Sequence, residues 1–398
     1  MAKVLISSIG TGQKKEGSYE KASYKIDDKL YETSFIADAL KQHLEIDVLY
    51  LVGTRKSIWD EAYISFGGND ANYHETLYEQ KEKGEITDHS LEQLNKLLDK
   101  DSKCVVIDYG LNEEELWSNF EKFLEISNHI KDGDELYLDI THSFRSLSLM
   151  SFVMTQFASS ISEKNFTIKG VFYGMFEYRF ENNGVTPIVD IKLLLEIQEW
   201  IKAIDAIKKY SDFDLLVTLL ENEEDIEKEV KNTFVQLNNT LNIANLSAFE
   251  LFIKTASKKI NRLKQSNNKI VVLLAPYIVT LVEQLHCEKK SHFQFNLSKW
   301  FYKNKNYAFA YLALYEAVIS KSCEFKEYDV NDHLKREEAK KSIGYDKYGQ
   351  YFYTKHENSI SQIRNAIAHQ NNDRKDWVTQ DIKRLENFLE IFETYIYE

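Results

Sequence analysis

The feature that most constrains the fold of this chain is a change of pattern about halfway along it. Up to about residue 190, short runs rich in β-branched and aromatic residues alternate with stretches of helical periodicity. The runs with strand character are 4–6, 48–52, 105–107, 136–138 and 168–173. Such alternation predicts a parallel, doubly wound, Rossmann-like sheet with helices packed on it.

The two halves of the sequence predict different domains. In the first half, helices are predicted at 33–43, 90–98, 113–129 and 144–159. A hairpin, with strands 178–180 and 187–189 around Asn183-Gly184, is predicted to close that half. Beyond it, helical periods cover 193–210, 224–241, 246–263, 270–285, 307–320, 355–369 and 376–395. We therefore predict an α/β domain at 1–190 and an all-α domain at 191–398.

The composition predicts a well-packed protein without a membrane span. Of its 398 residues, 43% are hydrophobic and 13% aromatic, which suffices for a large core. The longest apolar runs fall well short of the roughly 18 residues that a span needs. Cys104, Cys287 and Cys323 fit neither a disulfide framework nor a zinc site. With no charged leader before the first strand, these features predict a cytoplasmic location.

The charge is distributed unevenly along the chain. Residues 1–190 hold 20 Lys and Arg against 33 Asp and Glu, whereas residues 254–347 hold 18 basic against 10 acidic side chains. A basic segment in an acidic protein is compatible with salt-sensitive RNA binding. Solvated helix faces explain the same segment equally well.

Small, hydroxyl and basic residues follow several predicted strands. In a doubly wound sheet, ligands bind beyond the carboxyl ends of the strands, so these residues converge on one edge, which we call the rim. Ser143 is also a candidate N-cap of a helix whose exposed amides favour an anion. Ordinary strand-to-helix turns explain any single loop, but the convergence favours a ligand site. The predicted ligand-binding residues are Gly10, Thr11, Gly12, Thr54, Ser57, Trp59, Thr141, His142, Ser143 and Arg145.

A dinucleotide or a P-loop nucleotide is excluded at this rim. Gly10-Thr11-Gly12 does not continue into the dinucleotide fingerprint, because position 15 is lysine. The second strand ends in Val52-Gly53, without the acidic residue that would hold a ribose. The glycine-rich P-loop pattern ending in lysine and serine or threonine does not occur.

A second candidate site lies in the predicted helix 355–369. Asn365 and His369 are one turn apart on the same side, and Arg364 is about 100° round the helix. A guanidinium binds phosphate well, and an imidazole transfers protons near neutral pH. RNA cleavage without a metal needs both groups. We therefore predict Arg364, Asn365 and His369 as catalytic residues, although a solvated helix face would look the same.

The whole sequence resembles one known family. The segments 4–12, Gly53-Thr54 with Ser57 and Trp59, and 139–145 (Asp-Ile-Thr-His-Ser-Phe-Arg) are similar to the CARF sensor domain of CRISPR-associated type III accessory ribonucleases of the Csx and Csm type. The Arg364–His369 string is similar to the R-x4-H motif of the HEPN domain in the same proteins. The order and spacing of both halves match that family.

The resemblance implies a signalling enzyme of antiviral defence. Members bind cyclic oligoadenylate, which the type III interference complex makes, in a CARF dimer and respond by cutting single-stranded RNA in a HEPN dimer. It thus implies a homodimer or a higher oligomer, an allosteric activator and no metal or other cofactor. Arg364, Asn365 and His369 would leave a 2′,3′-cyclic phosphate. Even-numbered rings suit a two-fold cleft, and the rim residues look most like those of relatives that use cyclic tetra-adenylate.

Two other functions remain open at this stage. The rim could degrade its own cyclic oligoadenylate through Thr141, His142 and Ser143. Alternatively, the helical half could be a non-catalytic regulator that binds RNA or protein, with Arg364 and His369 in structural roles.

Overall fold

The computed structural model divides into two compact units, Met1–Leu194 and Leu195–Glu398. The first contains a mixed sheet with alternating helices, and the described part of the second is helical. The predicted fold class, a Rossmann-like α/β domain followed by an all-α domain, is confirmed. The structure describes residues 1–12, 14–15, 18–19, 21–98, 101–142, 145–344, 347–353, 358–369 and 378–398.

An eight-stranded sheet forms the centre of the first unit, in the order β5-β4-β10-β9-β8-β1-β6-β7. Strands β9, β8, β1, β6 and β7 are parallel, whereas β10 runs antiparallel to β9 and β5 antiparallel to β4. The separate pair β2–β3 is a short antiparallel ribbon. The strands are β1 (Lys3–Ile9), β2 (Lys14–Lys15), β3 (Ser18–Tyr19), β4 (Ala22–Ile26), β5 (Lys29–Thr33), β6 (Val48–Thr54), β7 (Lys103–Ile107), β8 (Glu135–Asp139), β9 (Thr167–Gly174) and β10 (Val185–Asp190).

Helices connect the parallel strands. Leu51 and Val52 of β6 point to opposite faces of the sheet and are both almost completely buried, as expected for a sheet covered on both faces. The helices of this unit are α1 (Ile36–Leu44), α2 (Trp59–Ser65), α3 (Ala71–Lys83), α4 (Glu92–Leu97), α5 (Glu113–His129) and α6 (Arg145–Ile161), with short 3₁₀ helices at His89–Leu91 and Glu177–Phe180.

The predicted hairpin is wrong in its first strand. Residues 178–180 lie in the 3₁₀ helix Glu177–Phe180, and the strand that pairs with β10 is β9. Local hydrogen bonds explain the difference, because the Tyr178 amide donates to the Met175 carbonyl at 3.0 Å and the Gly184 amide to the Arg179 carbonyl at 2.8 Å. These bonds satisfy the backbone within the turn, so the segment does not pair as a strand.

The predicted parallel sheet with one terminal hairpin did not include a second antiparallel pair of strands. Strands β4 and β5 form an antiparallel hairpin at one edge of the sheet, in a segment for which no strand was predicted. Its alternation is present but short: Ala22, Tyr24 and Ile26 are buried, while Lys25 between them is exposed. The edge strand is β5, where Lys29 is exposed, and a lysine on an edge strand discourages pairing with other chains.

The described part of the second unit consists of helices around one large apolar core. The predicted helix 193–210 coincides with the helix Leu193–Tyr210, whereas the helices Asp214–Asn222, Lys290–Lys303, His333–Ile343 and Gly349–Phe352 were not predicted. No described helix is long and apolar enough to cross a membrane. The helices are α7 (Leu193–Tyr210), α8 (Asp214–Asn222), α9 (Lys228–Asn242), α10 (Leu246–Ile260), α11 (Lys269–Leu285), α12 (Lys290–Lys303), α13 (Tyr307–Phe325), α14 (His333–Ile343), α15 (Gly349–Phe352), α16 (Ile360–His369) and α17 (Val378–Tyr397), with a 3₁₀ helix at Asn261–Gln265.

Candidate functional site

Two adjoining cavities lie at the carboxyl ends of the parallel strands, where the rim was predicted. Gly10, Thr11 and His142 line both of them. The smaller cavity, of about 150 Å³, is also lined by residues of β6 and the loop that follows it, among them Thr54 and Ser57. The larger, of about 370 Å³, has aromatic walls and extends past Gly12 and Thr141. Its aromatic wall residues are Tyr19, Tyr24, Phe35 and Phe176.

A buried carboxylate organises the rim at the end of β8. Asp139 accepts hydrogen bonds from the Ser7 hydroxyl at 2.5 Å, the Thr141 hydroxyl at 2.6 Å and the Thr141 amide at 3.0 Å. The Thr141 hydroxyl in turn accepts from the Gly174 amide at 2.8 Å. Burial raises the pKa of Asp139 from 3.8 to about 6, against the opposing effect of these donors. The network ties the ends of β1, β8 and β9 together, so Asp139 and Thr141 place the next residue, His142.

His142 lies between the two cavities. Its Nε2 shares a hydrogen bond of 3.0 Å with the Tyr24 hydroxyl, and its ring meets Phe176 edge-on at 6.1 Å between centroids. Burial lowers the pKa of His142 to about 4, so the ring is neutral at physiological pH. His142 can therefore exchange hydrogen bonds with a ligand, but it adds no charge to bind a phosphate.

The loop after β1 needs glycine. Gly12 has a φ of +60°, and a Cβ there would meet Ile58 at 2.7 Å and the Tyr19 ring at 3.0 Å. The carbonyl of Gly10 accepts from the Ile58 amide at 3.0 Å. Thr11 between them is exposed. Gly12 is therefore required by the packing of Ile58 and Tyr19 against this loop, while the exposed Thr11 can contact a ligand.

The predicted residues after β6 divide into two roles. Ser57 donates to the Ile9 carbonyl at 2.7 Å and accepts from the Thr54 amide at 2.9 Å, so it ties this loop to β1. Thr54 and Ser57 both line the smaller cavity. Trp59 is completely buried and donates to the Thr54 carbonyl at 2.9 Å. Trp59 therefore supports the loop from its buried side. Its predicted contact with a ligand stays a prediction.

Two predicted ligand residues fall outside the described part of the chain. Ser143 is one, and the side chain of Arg145, the first residue of α6, is the other. Just beyond them, the Ser148 hydroxyl donates to the Ile140 carbonyl at 2.9 Å, which holds the first turn of α6 against the end of β8. The anion site at this helix start stays a prediction.

Arg179 is a rim residue that the sequence reasoning missed. It lines the larger cavity although only 8% of it is exposed. Its guanidinium carbon lies 3.7 Å from the centre of the Phe176 ring and 4.9 Å from that of Phe180. The segment Phe176–Phe180 contains both residue types, but residues 178–180 were predicted to form a strand. The 3₁₀ turn places the Arg179 guanidinium at the larger cavity. The assignment of these residues to a strand did not predict that position.

The predicted catalytic residues lie on α16. Arg364 donates from Nη1 to the Asn365 side-chain oxygen at 3.1 Å. Ile360 and Ile363 are buried and anchor the helix, whereas His369 at its last turn is exposed. The three predicted residues therefore share one short helix with an accessible histidine end. Their roles in catalysis stay predictions.

Two protein-family models match parts of this chain. Residues 4–177 match the family model of the CARF domain of CRISPR system endoribonuclease Csx1. Residues 196–289 match the model of the second domain of CRISPR-associated protein MJ1674. Both cavities of the rim lie among residues 8–179, almost entirely within the first match. Neither of these two matches extends over Arg364–His369.

One curated relative and one solved structure complete the comparisons. CRISPR-associated protein MJ1674 of Methanocaldococcus jannaschii is 30% identical over 93% of this chain and 62% of the relative, so the chain spans about three fifths of that protein's length. The structure of Enterococcus italicus Csm6 bound to cyclic hexa-2′-fluoro-hexa-dAMP aligns over 100% of this chain and 94% of that one, with a TM-score of 0.39 and 11% identity. By sequence, residues 4–177 are therefore similar to a CARF domain, and most of the chain is similar to part of a CRISPR-associated protein.

Proposed function

We propose that this protein is an endoribonuclease of type III CRISPR antiviral defence that cyclic oligoadenylate activates. One observation carries the proposal. The unit that matches a CARF domain has two adjoining cavities at its rim, and the other unit holds Arg364, Asn365 and His369 on one helix with an accessible end. A sensor cleft and the groups for RNA cleavage are therefore both present in one chain.

The cavities suit an adenylate ligand. The larger cavity has aromatic walls, on which a purine base can stack, and it reaches the cation Arg179. Gly10 and Thr11 line both cavities, so this loop can contact a phosphate. A cyclic oligoadenylate repeats one unit around a ring, so two copies of one rim related by a two-fold axis would match an even-numbered ring. We propose a homodimer and favour cyclic tetra-adenylate as the activator.

The proposed cleavage reaction needs no metal. The RNA 2′-hydroxyl attacks the adjacent phosphorus while the 5′-oxygen leaves, which yields a 2′,3′-cyclic phosphate and a 5′-hydroxyl end. His369 moves the proton between these oxygens, and Arg364 stabilises the negative charge on the non-bridging oxygens. Asn365 holds Arg364 through the 3.1 Å hydrogen bond and fixes the geometry of the scissile phosphate. A paired helix from the second copy would supply a second set of the same groups.

The test is a titration of RNA cleavage against synthetic rings. Labelled single-stranded RNA is incubated with the protein, a metal chelator and cyclic tri-, tetra- or hexa-adenylate. We expect cleavage with 2′,3′-cyclic phosphate ends, at the lowest concentration with the tetra-adenylate. Activation by the hexa-adenylate alone would overturn the choice of ring. Degradation of a ring with intact RNA would instead identify an enzyme that acts on its own ligand, and binding without either reaction would identify a regulator.

A further inference from the structure

The guanidinium of Arg364 rests on an aromatic ring from another helix. Its carbon lies 4.9 Å from the centre of the Tyr315 ring, which belongs to α13 and is only 6% exposed. Tyr315 is itself stacked on Phe352 of α15, with 5.2 Å between the ring centroids and 15° between the planes. Phe352 is completely buried. The position of Arg364 is thus defined by a rigid aromatic pair in the core.

This contact differs from the ion pair that usually holds a half-buried arginine. Among the residues that the structure describes, no carboxylate forms an ion pair with Arg364. Its Nε is buried and has no hydrogen-bond partner within the same part of the chain, and Nη1 donates to Asn365. A carboxylate would occupy the donor fork and neutralise its charge. The face of an aromatic ring orients the guanidinium by contact with its flat side. The N–H donors at the edge of the guanidinium and its positive charge then remain available to an anion.

A second cation contacts the same ring. The Lys340 ammonium of α14 lies 5.8 Å from the centre of Tyr315. Burial acts to lower the pKa of Lys340, but its hydrogen bond with Tyr315 and the charge of Glu337 raise the pKa overall, so the side chain stays charged. The Glu337 carboxylate lies 3.6 Å from the Lys340 ammonium and balances its charge, whereas Arg364 has no such carboxylate among the described residues, so its charge can act on an RNA phosphate.

We propose that Tyr315 is a positioning residue that holds the Arg364 guanidinium in the orientation needed to bind the scissile phosphate. This inference rests on the proposed nuclease function, and it assigns the aromatic face, not the hydroxyl, as the group that matters. The ring face survives in Tyr315→Phe and is lost in Tyr315→Leu. Tyr311, one turn earlier on α13 and 2% exposed, is a matched control because its contacts are with α17: its hydroxyl donates to the Asp381 carbonyl at 2.6 Å and its ring meets that of Phe388 at 6.4 Å.

The experiment compares activated RNA cleavage by the three variants and the unaltered protein, with thermal unfolding measured in parallel. We expect Tyr315→Leu to lower kcat by about five- to thirty-fold, the equivalent of a desolvated cation–π contact, with a much smaller change in KM. Tyr315→Phe should stay within about threefold of the unaltered protein, on the same scale. Tyr311→Leu should lower the unfolding temperature while keeping kcat.

A second measurement tests the position of Arg364 without any activity. In the unaltered protein and in Tyr315→Phe, the Arg364 Nε–H resonance should carry a ring-current shift, assigned by its loss in Arg364→Lys. In Tyr315→Leu that shift should disappear. An unshifted resonance in the unaltered protein would refute the proposal even if Tyr315→Leu does not fold.

The outcomes separate this inference from the proposed function. If the unaltered protein cleaves RNA and Tyr315→Leu has the same kcat as Tyr311→Leu, the positioning role is wrong and the nuclease assignment stands. If the unaltered protein cleaves no RNA with any ring, the proposed function fails and the positioning role fails with it.

Discussion

The substitution Asp139→Asn tests how the rim is held together. Asp139 is buried, with only 2% of its surface exposed, and accepts three hydrogen bonds from Ser7 and Thr141. Asparagine has nearly the same shape but does not ionise in the pH range of protein folding. The comparison of the two proteins across pH therefore isolates the free energy of ionising this one group inside the fold.

The magnitude and the sign follow from the pKa. Burial raises the pKa of Asp139 from 3.8 to about 6, and this difference corresponds to about 3 kcal/mol. Because the pKa of Asp139 is higher in the folded state than in the unfolded state, its protonated side chain stabilises the fold. This contribution is fully present below about pH 4 and is lost as the pH rises through about 6. The free energy of unfolding of the unaltered protein, minus that of Asp139→Asn, should therefore fall by about 3 kcal/mol from about pH 4 to about pH 7.

The assay is urea unfolding of both proteins at several pH values across this interval. Hydrogen exchange of peptides from β1 and β8 assigns the transition to the first unit, since a chain of two compact units need not unfold in one step. If the difference in the free energy of unfolding between the two proteins does not change with pH, the raised pKa of Asp139 is refuted. A difference that increases with pH would show that the hydrogen-bond donors around Asp139 outweigh its burial.

Three further predictions concern the rim. Gly12→Ala and Gly67→Ala both place alanine at a positive φ, but only at position 12 would the new Cβ meet other atoms, so Gly12→Ala should cost about 1–3 kcal/mol more in urea unfolding than its control. Arg145→Ala should weaken activator binding by about 1.5–3 kcal/mol in calorimetry, and an unchanged affinity would place the phosphates elsewhere. Trp59→Phe removes a buried hydrogen bond and should lower the free energy of unfolding by about 1–2 kcal/mol, whereas Trp117→Phe, at a side chain 58% exposed, should change it little.

The sequence predicted the parts of the fold that depend on local pattern. The central strands and α7 follow from hydrophobic periodicity within a few residues of each element. The edge hairpin β4–β5 was missed because its alternation is only five residues long and half of it is polar. Residues 178–180 were placed in a strand because aromatic residues favour strands, whereas hydrogen bonds within the turn decide the conformation there.

The candidate site, too, could be predicted only where it depends on local pattern. Glycine, hydroxyl and histidine residues after the strands could be assigned to one rim, because parallel strands end at one edge of the sheet. The hydrogen bond between Ser7 and Asp139 joins residues 132 positions apart, and that between Tyr24 and His142 joins residues 118 apart. No local pattern predicts such pairs. For the same reason the sequence did not reveal the contact of Arg364 with Tyr315, which depends on how α13 packs against α16.

The most direct test of the central claim is the cleavage of RNA by His369→Ala in the presence of cyclic oligoadenylate. The imidazole is exposed at the end of α16, so its removal should leave the fold and the affinity for the activator unchanged. We predict that activated cleavage falls by at least about a hundredfold, as for the loss of a general acid or base. Full cleavage by His369→Ala, with the same products, would contradict the assignment of this chain as a ribonuclease that acts through α16.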